Sequence, residues 1–311
     1  MGPTAEAAGG FGRPAVTTAT TLGRAIAAWR AELEIAGCPE PDAEARLIAA
    51  HVTGLSLGQV PAHLQDILDG PAVASAASIL SRRLRREPLP YILGETEFFG
   101  LRLRCDPRAM VPRPETELLV EAFLHWLRGY PDALVVDVGT GCGCIALAVA
   151  ANCPSCRVLA TDASGEALAL ARQNAEALGL AGRVAFLWGD MLTPVHEAGL
   201  AGAVRAVVAN LPYLSDDEYA SAPPELHFEP RGALAAGPTG LEAFSLLIAS
   251  LPMLPALEFL ALEIGATQGL AVSAMLAKAL PGWTVEVRQD YSGFDRLVLA
   301  TRSEKCSGTE E

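Results

Sequence analysis

A glycine-rich loop followed by an acidic residue is the first pattern in this sequence that could do chemistry. Gly139-Thr140-Gly141-Cys142-Gly143 follows the apolar run Leu134 to Val138 and precedes an apolar helical segment, Cys144 to Ala151. Glycines let a ligand approach the backbone closely, and a helix N-terminus offers unpaired N–H groups. Asp162 ends the next apolar run, about 20 residues past the loop, where a carboxylate can accept both hydroxyls of a ribose. Because Ala146 interrupts the full dinucleotide pattern, the loop favours a single nucleoside over NAD.

The short segment Gly189-Asp190-Met191 follows a third apolar run and is a candidate for holding the base of the same nucleoside. A carboxylate followed by an apolar side chain could bind an adenine and cover its ring. An acid that caps the next turn explains Asp190 equally well on local grounds. The segment therefore predicts an adenine contact at Asp190 and Met191, with the capping role as the alternative.

Asn210-Leu211-Pro212-Tyr213 follows a fourth apolar run, Val204 to Ala209, and is suited to hold a reacting group. Ligands of open α/β sheets lie beyond the carboxyl ends of the strands, so this loop should face the glycine loop. The Asn210 side-chain oxygen and the Leu211 backbone carbonyl could each accept one N–H of an amide or amine. Pro212 stiffens the turn, and Tyr213 offers an aromatic face. The loop therefore suits a planar nitrogen group.

These loops require a sheet that brings the ends of several strands together. Apolar runs of strand length alternate with helical patterns, which predicts an α/β fold with a mostly parallel sheet and helices on both faces. The predicted strands cover residues 133–138, 157–161, 183–188, 204–209, 257–264, 283–288 and 296–300. The first four of them end at the candidate residues, so we expect those residues to share one edge of the sheet.

The segments ahead of the sheet predict a helical domain and a hairpin. The predicted division is a mobile tail at 1–20, a helical domain at 21–88, a β-hairpin linker at 89–114, an α/β domain at 115–303 and a tail at 304–311. Tyr91 and Ile92 are strand-like, and Ile67 continues the helical spacing of its domain. The basic run 81–86 is interpreted as a solvated helix end, with a docking patch for an acidic partner as the alternative.

Composition excludes several classes of protein. Of 311 residues, 51% are apolar, and 23 basic against 36 acidic residues give a formal net charge of −13. The apolar content excludes wholesale disorder, and the acidic balance argues against binding nucleic acid, because such binding depends on Lys and Arg. With no signal-peptide pattern, no membrane-spanning run and an odd count of seven cysteines, we expect a cytoplasmic protein with reduced thiols and no membrane association.

Cysteine and histidine spacing offers one metal candidate. Cys153 and Cys156 have the spacing of zinc ligands, with Cys142 and Cys144 near them in the sequence. The five histidines are scattered without ligand or triad spacing. We interpret the thiols as buried or incidental and expect no metal.

Several longer segments resemble the protein-glutamine N-methyltransferases of the HemK/PrmC type, which modify peptide chain release factors. The resemblance covers the chain from about residue 21. It rests on the glycine loop, on Asn210 to Tyr213, and on residues 90–98, 111–117, 229–234, 262–265 and 293–296. It implies a class I S-adenosylmethionine-dependent methyltransferase fold whose N-terminal helical domain recognises the release factor. It also implies direct methyl transfer to the side-chain amide nitrogen of the glutamine in a Gly-Gly-Gln motif.

The resemblance also implies roles for particular residues. Gly139 to Gly143, Asp162, Met191 and Asn210 contact the methyl donor, and Asn210 to Tyr213 hold the substrate glutamine. Arg113 is a further candidate for substrate binding.

One departure and several alternatives accompany this interpretation. The family has Asn-Pro-Pro-Tyr where this chain has Leu211, which keeps the backbone carbonyl but does not restrict φ as proline does. The same loop resembles ribosomal RNA adenine dimethyltransferases, which lack the flanking motifs and act on RNA, for which the charge of −13 is unsuited. A ribosomal-protein glutamine methyltransferase and a non-catalytic binder of release factor or S-adenosylmethionine remain alternatives.

Overall fold

The computed structural model describes residues 20–303. The chain divides into two compact units, Met1–Arg85 and Arg86–Glu311, which are described separately. The predicted tails, 1–20 and 304–311, lie outside the described residues, apart from Thr20. None of the helices in the described part of the chain combines the length and the apolar character that a bilayer crossing requires.

The described part of the first unit, residues 20–85, contains three α-helices. These are α1 (Leu22–Ile35), α2 (Pro41–Thr53) and α3 (Gly70–Arg83), with a 3₁₀ turn at Val60–His63. The side chains of Thr21 and Asp69 cap α1 and α3 by accepting hydrogen bonds from backbone N–H groups. Trp29 and Ile48 are among the buried core residues. Ile67, expected at a helical position, instead pairs with Thr21 in an isolated antiparallel bridge.

The basic run 81–86 is not simply a solvated helix end. Arg83 is 1% exposed, and its guanidinium donates to both carboxylate oxygens of Glu44, at 2.7 and 2.9 Å. In the second unit, Arg86 forms a similar bidentate pair with Glu225, at 2.6 and 2.7 Å. Arg83 is buried because it follows Ile79 by four residues and therefore shares the apolar face of α3. The solvated interpretation is wrong for Arg83, which serves the helical core.

The second unit opens with a short helix and a hairpin. The elements are α4 (Leu89–Leu93), β1 (Glu95–Phe98) and β2 (Leu101–Arg104), and the two strands pair antiparallel. The strand predicted at Tyr91 and Ile92 is wrong, because these residues lie within α4. Pro90 in the first turn favours a helix start, and Gly94 ends the helix in the left-handed region at φ +77°. Tyr91 then turns inward and donates to the Ala109 carbonyl at 2.6 Å.

A seven-stranded sheet forms the body of the second unit and confirms the predicted α/β fold. Its strands are β3 (Leu134–Val138), β4 (Arg157–Asp162), β5 (Val184–Trp188), β6 (Val204–Ala209), β9 (Phe259–Glu263), β10 (Trp283–Gln289) and β11 (Asp295–Arg302). The spatial order is β10-β11-β9-β6-β3-β4-β5. The five strands from β9 to β5 pair in parallel, and β11 pairs antiparallel with both neighbours. All seven sequence-predicted strands are present, with ends within two residues of those expected.

Helices cover both faces of this sheet, and two apolar cores fill the space between them. They are α5 (Thr116–Leu127), α6 (Cys144–Asn152), α7 (Gly165–Ala177), α8 (Thr193–Glu197), α10 (Glu242–Ser250) and α11 (Gly269–Ala279). Between β6 and β9 the chain inserts β7 (Leu214–Ser215), α9 (Asp216–Ala220) and β8 (Ala235–Gly237), in which the two strands pair in parallel. Further 3₁₀ turns lie at Ala201–Ala203, Pro224–Phe228, Arg231–Ala233 and Leu251–Met253. The direction of chain progression reverses between β3 and β6, where a ligand site is expected.

Candidate active site

A cavity of about 550 Å³ opens at the carboxyl ends of β3, β4, β5 and β6. This volume is typical of sites for small molecules and cofactors. Most sequence-predicted site residues line it: Gly139, Thr140, Gly141, Cys142, Asp162, Asp190, Met191, Asn210, Leu211 and Pro212. Gly143, Tyr213 and Arg113 are not among the lining residues. The structure thus brings the two predicted loops to one cavity and places three candidates outside it.

The glycine loop is held tightly against its neighbours. The backbone N–H groups of Gly139 and Thr140 donate to the Thr161 carbonyl at 2.9 and 3.0 Å. Gly139 has φ +72°, and a Cβ there would lie 3.1 Å from the Leu211 side chain. Gly143 has φ +88°, and its Cβ would meet the Cβ of Ala171 at 3.1 Å. Gly139 therefore allows the two predicted loops to meet, and Gly143 allows α6 to pack closely against α7.

Asp162 fixes the loop and still has acceptor capacity for a ligand. Its Oδ2 accepts the Gly141 N–H at 2.8 Å, and its Oδ1 accepts the Ser164 N–H at 2.8 Å. Burial raises the pKa of this carboxyl above its ordinary value, and the two backbone hydrogen bonds oppose that rise. Each carboxylate oxygen has a second lone pair, so the carboxylate can accept further hydrogen bonds.

Asp137, which the sequence analysis did not single out, lies directly behind the glycine loop. It is fully buried, and its Oδ2 accepts from the Thr140 hydroxyl at 2.6 Å and from the Ala146 N–H at 3.1 Å. Its Oδ1 is buried with no hydrogen-bond partner among the described residues. Burial raises the pKa of this carboxyl to about 7. The feature of the sequence that could have identified Asp137 is its position, two residues before Gly139, the first glycine of the loop.

Asp190 and Met191 line the cavity, and the capping alternative for Asp190 is not observed. The next helix, α8, begins after Leu192 without a side-chain cap. Asp190 is exposed and Met191 is half-buried. Met191 has φ +48°, a conformation that L residues seldom adopt, and its carbonyl accepts the Thr161 hydroxyl at 2.9 Å. This unusual turn places Asp190 and Met191 beside the end of β4.

Two buried side chains orient Asn210, one far before it in the sequence and one far after it. Its Nδ2 donates to Thr116 Oγ1 at 3.0 Å, and that hydroxyl donates to Glu263 Oε2 at 2.7 Å. No residue of the described chain donates to Asn210 Oδ1 or to the Leu211 carbonyl oxygen, and both residues line the cavity. Both oxygens are therefore available to accept further hydrogen bonds.

Comparison with known proteins identifies the family. Residues 24–94 match the family model of the PrmC N-terminal domain, and residues 114–222 match that of the methyltransferase small domain. The release factor glutamine methyltransferase of Deinococcus radiodurans is 40% identical over 275 residues, which cover 88% of this chain and 95% of that protein. The chain belongs to the release factor glutamine methyltransferases. The resemblance predicted from the sequence is therefore confirmed.

Other relatives agree with this assignment. The release factor glutamine methyltransferase of Nitratidesulfovibrio vulgaris is 37% identical over 293 residues, covering 93% of this chain and 98% of that protein. The solved catalytic domain of human Mettl16, in complex with an RNA hairpin, superposes with a TM-score of 0.54. That superposition covers 76% of this chain and 82% of that one, at 17% identity, and shows a shared fold alone.

Two candidate residues of this methyltransferase make protein contacts outside the cavity. Arg113 forms a short ion pair with the buried Glu229 carboxylate, which also accepts the Val111 N–H at 3.0 Å. Arg113 therefore joins the segment before α5 to the insertion between β6 and β9. Tyr213 is half-buried, and its carbonyl accepts from Gln268 Nε2 at 2.9 Å. Burial, followed by the nearby Glu263 carboxylate, raises the pKa of Tyr213 to about 12.

The cysteines of this methyltransferase make local contacts. The Cys153 thiol donates to the Pro131 carbonyl at 3.4 Å, and the Cys156 thiol donates to the Cys153 carbonyl at 3.1 Å. Burial raises the pKa of the Cys156 thiol to about 12, which disfavours the thiolate form that binds zinc. Within residues 20–303, no three side chains of the His, Cys, Asp or Glu type are grouped to hold a metal ion.

Proposed function

We propose that this methyltransferase transfers the methyl group of S-adenosylmethionine to the side-chain amide nitrogen of a glutamine in peptide chain release factors. The observation that carries the proposal is the pair of acceptors at Asn210 and Leu211, in the same cavity as the glycine loop and Asp162. Relatives named release factor glutamine methyltransferases, at 37–40% identity over most of the chain, supply the substrate class. We infer further that the glutamine is that of a Gly-Gly-Gln motif.

The cavity has features that fit the methyl donor. The Asp162 carboxylate retains lone pairs that could accept from ribose hydroxyls, and Asp190 and Met191, which line the same cavity, are the proposed contacts of the adenine. Gly139 and Gly141, at φ +72° and +58°, keep the loop free of side chains where a ligand would approach the backbone. When bound there, S-adenosylmethionine would supply a methyl group on a positively charged sulfur.

The reacting loop prepares a weak nucleophile. An amide nitrogen is a poor nucleophile because its lone pair is delocalised into the carbonyl group. Asn210 Oδ1 and the Leu211 carbonyl oxygen would each accept one N–H of the substrate amide. The two hydrogen bonds orient the nitrogen and favour the positive charge that develops on it during attack. The alkylated amide then releases a proton readily, so no strong base is required.

Leu211 takes over part of the role that proline has in the family. Its side chain is 3% exposed, and its Cδ2 lies 3.1 Å from the Cβ position of Gly139. Burial of this side chain beneath the glycine loop restricts the loop by packing, where proline would restrict it through φ. This contact supports turnover in the presence of the substitution and favours an enzyme over a non-catalytic binder.

Mass spectrometry of an unmethylated release factor tests the proposal directly. The purified factor is incubated with this protein and S-adenosylmethionine, and we expect one added methyl on the Gly-Gly-Gln glutamine, together with stoichiometric S-adenosylhomocysteine. A release factor whose motif glutamine is replaced by glutamate is the matched control and should gain nothing. No methyl on the intact factor would refute the proposed substrate. Methylation of ribosomal proteins would then support the first alternative, and no product with either substrate would support a non-catalytic binder.

A further inference from the structure

Asn210, Thr116 and Glu263 form a buried chain of hydrogen bonds that ends at the cavity. Asn210 follows β6, Thr116 is the first residue of α5, and Glu263 is the last residue of β9. The Asn210 Nδ2 to Thr116 Oγ1 distance is 3.0 Å, and the Thr116 Oγ1 to Glu263 Oε2 distance is 2.7 Å. Thr116 and Glu263 are each 1% exposed, so water does not compete for these bonds.

The direction of these bonds determines which atom of Asn210 faces a substrate. A carboxylate only accepts hydrogen bonds, so the Thr116 hydroxyl must give its single hydrogen to an ionised Glu263. The Thr116 oxygen is then an acceptor and attracts the Nδ2 group of Asn210. As a result, Oδ1 turns to the cavity, where it can accept an N–H. In the reversed orientation the Asn210 NH₂ group would face the cavity, and this donor could not accept an N–H of the substrate amide.

We propose that Glu263, acting through Thr116, is a positioning residue that keeps the Asn210 oxygen directed at the substrate amide, and that protonation of Glu263 releases this control. The inference rests on the proposed function for its consequence in turnover. Thr116 is also among the residues that line the cavity, whereas Glu263 lies behind it and is not. They act only by setting the polarity of Asn210.

Protonation of Glu263 reverses the requirement on Thr116. A carboxylic acid can donate to the Thr116 oxygen, which frees the Thr116 hydrogen to bond Asn210 Oδ1 instead. Both orientations of the carboxamide are then satisfied, and only one of them is productive. The fraction of molecules that can accept the substrate amide therefore falls as Glu263 is protonated.

The surroundings of Glu263 bring this protonation into the neutral pH range. Burial raises the pKa of Glu263 to about 7, and Glu115 before α5 adds to the rise. The hydrogen bond from Thr116 of α5, Arg296 of β11 and Arg113 ahead of α5 all oppose it. Tyr213, after β6, also faces this group, and its own raised pKa keeps it neutral at these pH values.

Variants of the two positioning residues test the scheme at saturating S-adenosylmethionine. Thr116→Val keeps the shape and removes the hydroxyl, so kcat should fall at least tenfold while the Kd for S-adenosylmethionine stays within about twofold of wild type. Thr116→Ser should recover most of the lost rate. Wild-type kcat should fall several-fold from pH 8 to pH 6, and Glu263→Gln should show no such fall, because its carboxamide neither gains nor loses a proton in this pH range. Thr284→Val and Glu286→Gln, on the exposed strand β10, are matched controls expected to behave as wild type.

A second readout does not depend on turnover. The NMR signals of the Asn210 side-chain NH₂, identified by their loss in Asn210→Ala, should shift with a midpoint near pH 7 in the wild type. They should not shift in Glu263→Gln. Any one of three results would overturn the inference. These are a Thr116→Val variant with the kcat of the wild type, a Glu263→Gln variant whose kcat still falls from pH 8 to pH 6, and Asn210 signals that do not change with pH in the wild type. A wild type that does not methylate release factor refutes the proposed function, and the Asn210 signals still decide the positioning role.

Discussion

Replacing Asn210 with alanine should separate catalysis from folding. The side chain donates one hydrogen bond to the protein, 3.0 Å long, from Nδ2 to Thr116. Loss of that bond should lower the free energy of unfolding by only about 1 kcal/mol. Loss of the Oδ1 acceptor removes one hydrogen bond that stabilises charge in the transition state, which corresponds to about 3 kcal/mol, or about a 10²-fold fall in kcat. The variant should therefore fold normally and turn over very slowly.

Initial rates of release factor methylation and urea denaturation measure the two effects on the same preparations. Asn152→Ala is the matched control, because Asn152 Nδ2 also donates one hydrogen bond, 2.9 Å long, to the Ala148 carbonyl. Asn152 lies at the end of α6 and does not line the cavity, so its removal should leave kcat within about twofold of wild type. An Asn210→Ala protein that retains more than half of the wild-type rate would refute the assigned role.

Three further predictions concern substitutions of buried residues. Leu211→Ala should lower the free energy of unfolding by about 3 kcal/mol in urea denaturation and also reduce kcat, because the Leu211 side chain is 3% exposed beneath the glycine loop. Burial raises the pKa of Asp137 from 3.8 to about 7, so the folded state favours the protonated carboxyl. Protonation therefore contributes about 4 kcal/mol to the free energy of unfolding below pH 3.8, and this contribution is lost as the pH rises through 7. Asp137→Asn should show a smaller fall in urea midpoint between pH 4 and pH 8 than the wild type. Arg83→Met leaves the Glu44 carboxylate unpaired and should destabilise the helical unit by about 3–5 kcal/mol, measured by thermal loss of helical circular dichroism; an unchanged transition would contradict the buried pairing.

The cavity combines two requirements of methyl transfer to an amide. The glycine loop, Asp162 and the segment Asp190–Met191 provide one half of its lining, and Asn210 to Pro212 provide the other. Both halves lie at carboxyl ends of parallel strands, and the side chain of Leu211 joins them by packing against Gly139. A change at Leu211 should therefore affect both donor binding and substrate positioning, whereas a change at Thr116 should affect positioning alone.

Local sequence determined the strands, the glycine loop and the reacting loop of this protein. Strands are specified by short apolar runs and the loops by the residues directly after them, so all seven strands and most cavity residues could be predicted. Helix α2 likewise follows a local signal, because it begins at Pro41 and proline is favoured in the first turn of a helix. The exception at Tyr91 arose because Pro90 and Gly94 favour one helical turn within an apolar run.

Only the tertiary structure decided which distant side chains meet. Thr116 and Asn210 are 94 residues apart, and Thr116 and Glu263 are 147 residues apart. No periodicity in the sequence reports a contact at such separations. Arg113 pairs with Glu229 across 116 residues, and that ion pair leaves it outside the cavity lining. The positions along the chain follow from local patterns, but the direction in which Asn210 presents its oxygen follows from the packing of α5, β6 and β9 against one another.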